Sequence, residues 1–162
     1  MNKSIRIGGA SGFWGDSYRA TEQLIQDTTL DFIVYDYLAE ITMSIMARAR
    51  AKSPSAGYAT DFIDAVIRPY IKRISTHNTR LISNAGGVNP EKCAEVISEL
   101  VKDLQLNLKV SCITGDDLMS SAQEIKNMNC KEMFSDIKFP ELDKVASMNA
   151  YLGAFAISKA LD

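Results

Sequence analysis

Apolar and polar positions change period several times along this chain, and the changes mark out an alternation of short strands and longer helices. Ile5 and Ile7 run directly into a loop carrying Gly8, Gly9, Gly12 and Gly15, followed by Asp16 and Ser17. Residues 17–27 place Tyr18, Leu24 and Ile25 among polar neighbours, which predicts a helix with Asp16 or Ser17 as its N-cap. Residues 31–35 (DFIVY) form a run of β-formers, the pattern of a strand buried on both faces. The run stops at Asp36, and residues 37–52 turn helical. Leu38, Ile41, Ile45 and Ala49 make one face, and Arg48, Arg50 and Lys52 sit in the last turns, where the helix dipole favours cations.

The stretch 53–60 (SPSAGYAT) breaks the pattern with a proline, a glycine and small polar residues. Phe62, Ile63, Val66, Ile67, Tyr70, Ile71 and Ile74 then recur at helical spacing. Pro69 interrupts them, so a kink is expected there, or a restarted helix with Pro69 in its first turn. Residues 80–84 (RLISN) predict a third strand, residues 85–90 (AGGVNP) a second glycine loop, and residues 91–104 an amphipathic helix with Asn89 as cap and Pro90 in its first turn. A fourth strand is expected at 109–113 (KVSCI), followed by Thr114, Gly115, Asp116 and Asp117 and a helix to about Asn127. Residues 128–146 are weakly patterned, with a short element expected near Phe139. Residues 148–161 are apolar enough to predict a closing helix.

Strand, helix, strand, helices, strand, helix, strand, helix is the order of an α/β protein. The expected architecture is a three-layer, open, mainly parallel sheet of about four strands with helices on both faces, Rossmann-like or flavodoxin-like. At 162 residues the chain fits a single domain. A parallel α/β chain normally delivers another strand after such a closing helix, so 1–162 reads as an incomplete version of a longer domain. Between the second and third strands two helical segments share one return journey. If the second makes the return, residues 55–61 lie at the ligand edge and bring Tyr58, Thr60 and Asp61 to the site; the sequence leans this way.

Composition narrows the function. A net charge of −2 argues against a nucleic acid or an anionic membrane as the main partner. No apolar run reaches the length of a membrane span, and the N-terminus has no apolar signal region. Cys93, Cys112 and Cys130 are odd in number and widely spaced, which fits free thiols in a reducing cytoplasm. Cys112, in a strand, and Cys93, on an apolar helix face, read as buried packing residues.

In open parallel sheets, ligands bind outside the carboxyl ends of the strands. Four polar strand-to-helix loops meet that edge here, and they bring Ser11, Asp16, Asp36, Glu40, Asn84, Asn89, Asp116 and Asp117 towards it. The backbone at Gly8, Gly9, Gly12, Gly86 and Gly87 and the helix starts beside it offer N–H groups to an anion. Asp16, Asp36, Glu40 and Asp116 are the candidates for acid or base work. Phe13 and Trp14 either anchor the first loop in the core or stack on a ligand. The same residue types also cap helices and make turns. Asp116 and Asp117 with Asp36 or Asp16 would suit a hard divalent cation, but capping is the stronger reading, and no cofactor is specified. The first loop lacks GxGxxG order, no GxxxxGK[ST] is present, and Ser11 lies in GGASGF rather than GxSxG. His77, the only histidine, is expected in a loop at the opposite edge, which argues against a Ser-His-Asp triad.

IRIGGASGFWGDS, DYLAE with TMSI, PSAGYATDF, NAGGVNP and NAYLGA, taken together and in order, resemble the N-terminal domain of the acyclic terpene utilisation protein family. The resemblance runs from Ile5 to about Leu161 and is weaker between Met119 and Ser147. It implies a setting in the breakdown of acyclic terpenes or branched acyl-CoA compounds, with an anionic small molecule such as a branched or terpenoid acyl-CoA or carboxylate as ligand. Family members continue beyond NAYLGA with a strand and a polar loop. A non-catalytic module, self-associating or docking on a complementary polypeptide through the closing helix, is the alternative expectation.

Overall fold

The structure, a computed structural model, describes residues 4–26 and 30–162. The chain divides into two compact units, Met1–Cys112 and Ile113–Asp162. The first is an α/β unit with a parallel sheet of three strands in the order β1-β2-β3: β1 is Ile7–Ser11, β2 is Phe32–Tyr35 and β3 is Arg80–Ser83. In register, Gly8 lies beside Ile33 and Ile33 beside Leu81. Ser11 pairs with Tyr35 after a shift between Gly9 and Ser11.

Successive crossovers step the same way across this sheet. Right-handed connections therefore put their return helices on one face. The helices are α1 (Ala20–Gln26) and α3 (Arg68–His77), and they pack on each other as well. Strand alternation sets the burial: Gly8, Ala10, Ile33 and Tyr35 face the helices and are buried. Ile33 is fully enclosed. On the other face Phe32, Val34 and Ile82 are half-buried, Ile7 is 64 % exposed, and the Arg80 guanidinium lies 5.8 Å from the centre of the Phe32 ring.

The second helical segment does make the return. It begins as a π-helical stretch, Phe62–Ile67, in which the Arg68 N–H reaches back to the Ile63 carbonyl, and it continues as α3 with Pro69 in the first turn. The helix α2, Glu40–Lys52, comes before it and buries Thr42, Met46 and Ala47. It starts later than residue 37: residues 36–39 are not helical, and the N–H groups of Tyr37 and Leu38 donate to the side chains of Asn84 and Asp36. The amphipathic α4 (Pro90–Asp103) buries Cys93 and Val101, with Pro90 at its start as expected. The predicted end of the first helix, Asp27, lies outside the described residues.

The expected fourth strand is corrected. Residues 109–113 join no ladder among the described residues. Leu106, Leu108 and Val110 do pack against the core, alternating with exposed residues. Alternation reports one buried face, and a strand also needs a hydrogen-bonding neighbour. Cys112 is exposed, whereas Cys93 is buried.

The second unit holds a 3₁₀ turn at Met119–Ser121, α5 (Ala122–Asn127), a second 3₁₀ turn at Leu142–Lys144 and α6 (Phe155–Leu161). The closing helix is therefore half the expected length. Residues 148–150 are spent on an antiparallel bridge instead: the Leu118 N–H donates to the Met148 carbonyl, the Ala150 N–H donates to the Asp116 carbonyl, and Asp117 pairs with Asn149. Ala122 is the one buried residue of this unit, and Tyr151 and Phe155 are 95 % and 92 % exposed. No helix among the described residues is long and apolar enough to cross a membrane.

Candidate active site

At the carboxyl ends of β1 and β2 lies a small cleft with a cavity volume of about 10 Å³, room for about one water molecule. It is lined by Ala10 and Ser11 of β1, by the glycine loop with Phe13 and Asp16, by Tyr35 and Tyr37, and by Asp61 and Val66. Tyr18 and Ala65 complete the lining.

The glycine loop is shaped by its own aspartate. The Gly12 N–H donates to Asp16 Oδ2 at 2.9 Å, and the Asp16 N–H closes a turn on the Phe13 carbonyl. Asp16 is therefore a loop clasp; α1 begins four residues later, at Ala20, and Asp16 does not cap it. Gly8 sits on the buried face, where an added Cβ would meet Leu30 at 2.8 Å and Leu24 at 3.0 Å. Gly9 faces the other side, with open space around it. Trp14 ties the loop to the far wall, its indole N–H donating to Asp61 Oδ1 at 2.5 Å.

Behind the cleft, three of the expected site residues form one network. Ser11 Oγ donates to the Asp36 carbonyl at 3.3 Å, and Asn84 Nδ2 donates to Asp36 Oδ1 at 2.7 Å. Asn84 Oδ1 in turn accepts the Tyr37 N–H at 2.7 Å. Both ends of the Asn84 amide are used, so its orientation is set by its partners. The network joins the ends of all three strands and holds the backbone of Tyr37.

Residues 55–61 do lie at this edge. The Ala59 N–H donates to the Ala85 carbonyl and the Val88 N–H to the Gly57 carbonyl. The second glycine loop is spent on that contact. The N–H groups of Gly87, Val88 and Asn89 all donate to backbone carbonyls. Asn89 stands at the N-cap position of α4 as expected, but its side chain makes no cap hydrogen bond: buried, it donates twice, to the carbonyls of Pro54 and Ala56 at 3.0 and 2.8 Å. Gly86 and Gly87 are packed against Pro90, and against Met46 and Gly57, respectively. Glu40 is exposed in the first turn of α2. Asp116 belongs to the second unit, where its Oδ2 accepts a hydrogen bond from Asn149 Nδ2 at 2.9 Å. No group of three or more histidine, cysteine or acidic side chains gathers closely enough among the described residues to hold a metal ion.

Two residues of the cleft escape a motif-based reading, Tyr35 and Tyr37. Burial pushes the Tyr35 hydroxyl up to about 12, against the hydrogen bond it makes with Thr21 at 3.0 Å. Tyr37 is also raised, first by burial and then by the negative charge of Asp61. Both rings pack edge-on against Phe62, at 5.3 and 5.7 Å between centres. Their signal in the sequence is position: two tyrosines two residues apart at the end of a strand share a face.

Aromatic side chains, the glycine loop and the carboxylates of Asp16 and Asp61 line this cleft. No curated protein and no solved structure matches the chain. A family model described as the acyclic terpene utilisation family protein AtuA matches residues 5–162, and the chain therefore belongs to that family.

Proposed function

We propose that the cleft binds a branched or isoprenoid acyl compound, as a thioester or a carboxylate, on its way to being broken down. The observation that carries this reading is the cleft's division of labour. Phe13, Tyr18, Tyr35, Tyr37 and Val66 supply aromatic and aliphatic surface for a hydrocarbon chain. Polar groups gather at the loop end, where no acceptor among the described residues takes the N–H of Phe13, Trp14 or Gly15. Those donors suit a carboxylate or a thioester carbonyl. Asp16 stands beside the bound group, and Ser11, Asp36 and Asn84 hold the strand ends behind it. Membership of an acyclic terpene utilisation family supports the isoprenoid character. Free cysteines fit work in the cytoplasm.

The test is a calorimetric and thermal-shift titration with a branched acyl-CoA thioester, its free acid and a straight-chain thioester. Saturable binding of the branched compounds is expected, weakened by Phe13→Ser at an unchanged melting temperature, because Phe13 is largely exposed. Absence of binding by all three rejects the reading.

A second reading has its own observation. Tyr151, Leu152 and Phe155 lie open in the second unit, and such surface suits a partner chain or a second copy. Light scattering that finds a monomer, with no binding of an apolar dye, removes it.

A further inference from the structure

Pockets for small molecules enclose roughly 300–1,000 Å³, and the cleft has room for about one water molecule. A branched carbon chain therefore enters only if a wall moves. Most of the lining is fixed: Ala10, Tyr35 and Val66 are buried in β1, β2 and the π-helical stretch. The glycine loop, which contributes Phe13, Gly15 and Asp16, is held quite differently.

Residues 12–16 are bonded mainly to one another. The Gly12 N–H donates to Asp16 Oδ2 at 2.9 Å, and the Asp16 N–H donates to the Phe13 carbonyl at 3.2 Å. Among the described residues a single hydrogen bond leaves the loop, from the Trp14 indole N–H to Asp61 Oδ1 at 2.5 Å. Asp61 itself is anchored, since the π-helical stretch starts directly after it. Both joints of the loop are unencumbered. A Cβ on Gly12 would meet only the loop's own Asp16, at 3.8 Å, and residues 17–19 are exposed and non-helical. The second glycine loop has no such freedom, because Gly86 and Gly87 are packed on all that surrounds them.

We infer that residues 12–16 are a gate over the cleft, hinged at Gly12 and at residues 17–19, latched by Trp14 on Asp61, and lifted to admit the acyl ligand. This rests on the ligand proposed above and adds the way it enters. The latch is one hydrogen bond to a charged oxygen together with a half-buried ring resting on the core. A hold of that size keeps the closed form dominant and leaves the open form populated at about 0.1–10 %, the range from which a ligand selects. The N–H groups of Phe13, Trp14 and Gly15 travel with the gate, so the donors offered to the ligand's polar end move as it opens.

Trp14 is the only tryptophan of the chain, so its fluorescence reads the latch directly. The experiment measures acrylamide quenching of the full chain without ligand, then emission, association rate and calorimetric binding as a branched acyl-CoA thioester is added. Asp61→Ala removes the acceptor and should raise the open-to-closed ratio about 10–100-fold, the effect of losing a hydrogen bond to a charged group. Stronger quenching and emission at longer wavelength report that change. Gly12→Ala keeps the latch, stiffens the hinge and should slow association about 2–5-fold. Melting curves establish that both variants are folded. In the parent, binding should shift the Trp14 emission, because a ligand of that size leaves no room for the closed loop. Quenching in folded Asp61→Ala equal to that of the parent overturns the latch. Binding to the parent with Trp14 emission unchanged overturns the gate and leaves the ligand reading standing. A thioester that binds neither the parent nor Asp61→Ala overturns both.

Discussion

The indole N–H of Trp14 donates to the carboxylate of Asp61, joining the glycine loop to the start of a helix 47 residues further on. A hydrogen bond to a charged group contributes roughly 1.5–3 kcal/mol. Trp14→Phe keeps the ring and removes the donor, so a loss in that range is expected in urea unfolding. Asp61→Asn keeps an acceptor and should lose less. Equal losses would show that the indole acts by packing alone.

The second glycine loop is expected to be a packing feature. Gly87 has a φ of +53°, and a Cβ there would meet Met46 Sδ at 2.2 Å and the Gly57 carbonyl oxygen at 2.7 Å. Gly87→Ala should destabilise by about 3 kcal/mol or more, since backbone strain and overpacking add. Gly9→Ala has open space around its Cβ and should leave stability level or slightly raised. Thermal melts of the two variants side by side decide it.

Asn89 closes the loop before α3 by donating to two carbonyls, and a carboxylate cannot do so. Asn89→Asp should therefore be worse than Asn89→Ala, which is expected to cost about 1–3 kcal/mol by leaving buried carbonyls unpaired. An Asp variant as stable as the parent would mean that the loop holds without the clamp.

Alkali should unfold the protein early. Cys93 is raised from 9.0 to about 11 by burial first and by Cys112 second, and Tyr35 from 10.0 to about 12. Both groups hold their protons more tightly when folded. Their stabilisation is complete below about pH 9 and 10 respectively, and is lost as pH rises to 11 and 12. Each contributes a fall of about 1.4 kcal/mol per pH unit within its window. Cys93→Ala should flatten the decline between pH 9 and 10 in chemical unfolding curves; an unchanged slope would contradict the burial assignment.

Much of this was legible in the residues. Two strands are legible as short β-forming runs that end at Asp36 and Asn84, whereas the first was placed too early, since β1 runs through Gly8 and Gly9 to Ser11; Pro69 marked the restart of a helix. The site's edge followed from the same alternation, and the crossover argument placed Asp61 there. Apolar pattern reports which faces are buried and is silent about hydrogen-bond partners. That is why residues 109–113 imitated a strand, and why 148–154 imitated a helix while its backbone was committed to a bridge with residues 116–118. Asn89 misled for a related reason: its position suits a cap, but two carbonyls of an incoming loop compete for its amide. Tyr37 was hidden because its chemistry depends on what surrounds the phenol.

The π-helical stretch gives the chain an unusual sensitivity to length. A π turn accommodates one residue more than an α turn, and each residue swings a helix by about 100°. Deleting a single residue such as Ala65 would let Phe62–His77 run as one regular helix with shorter-range hydrogen bonds. The same deletion would turn Asp61 away from the cleft if Ile71 and Ile74 stayed in the core. Single-residue deletions in this stretch should thus be tolerated by the fold and fatal to the site. Insertions and deletions accumulating in natural variants would then spare residues 62–67 while passing freely through the neighbouring loops.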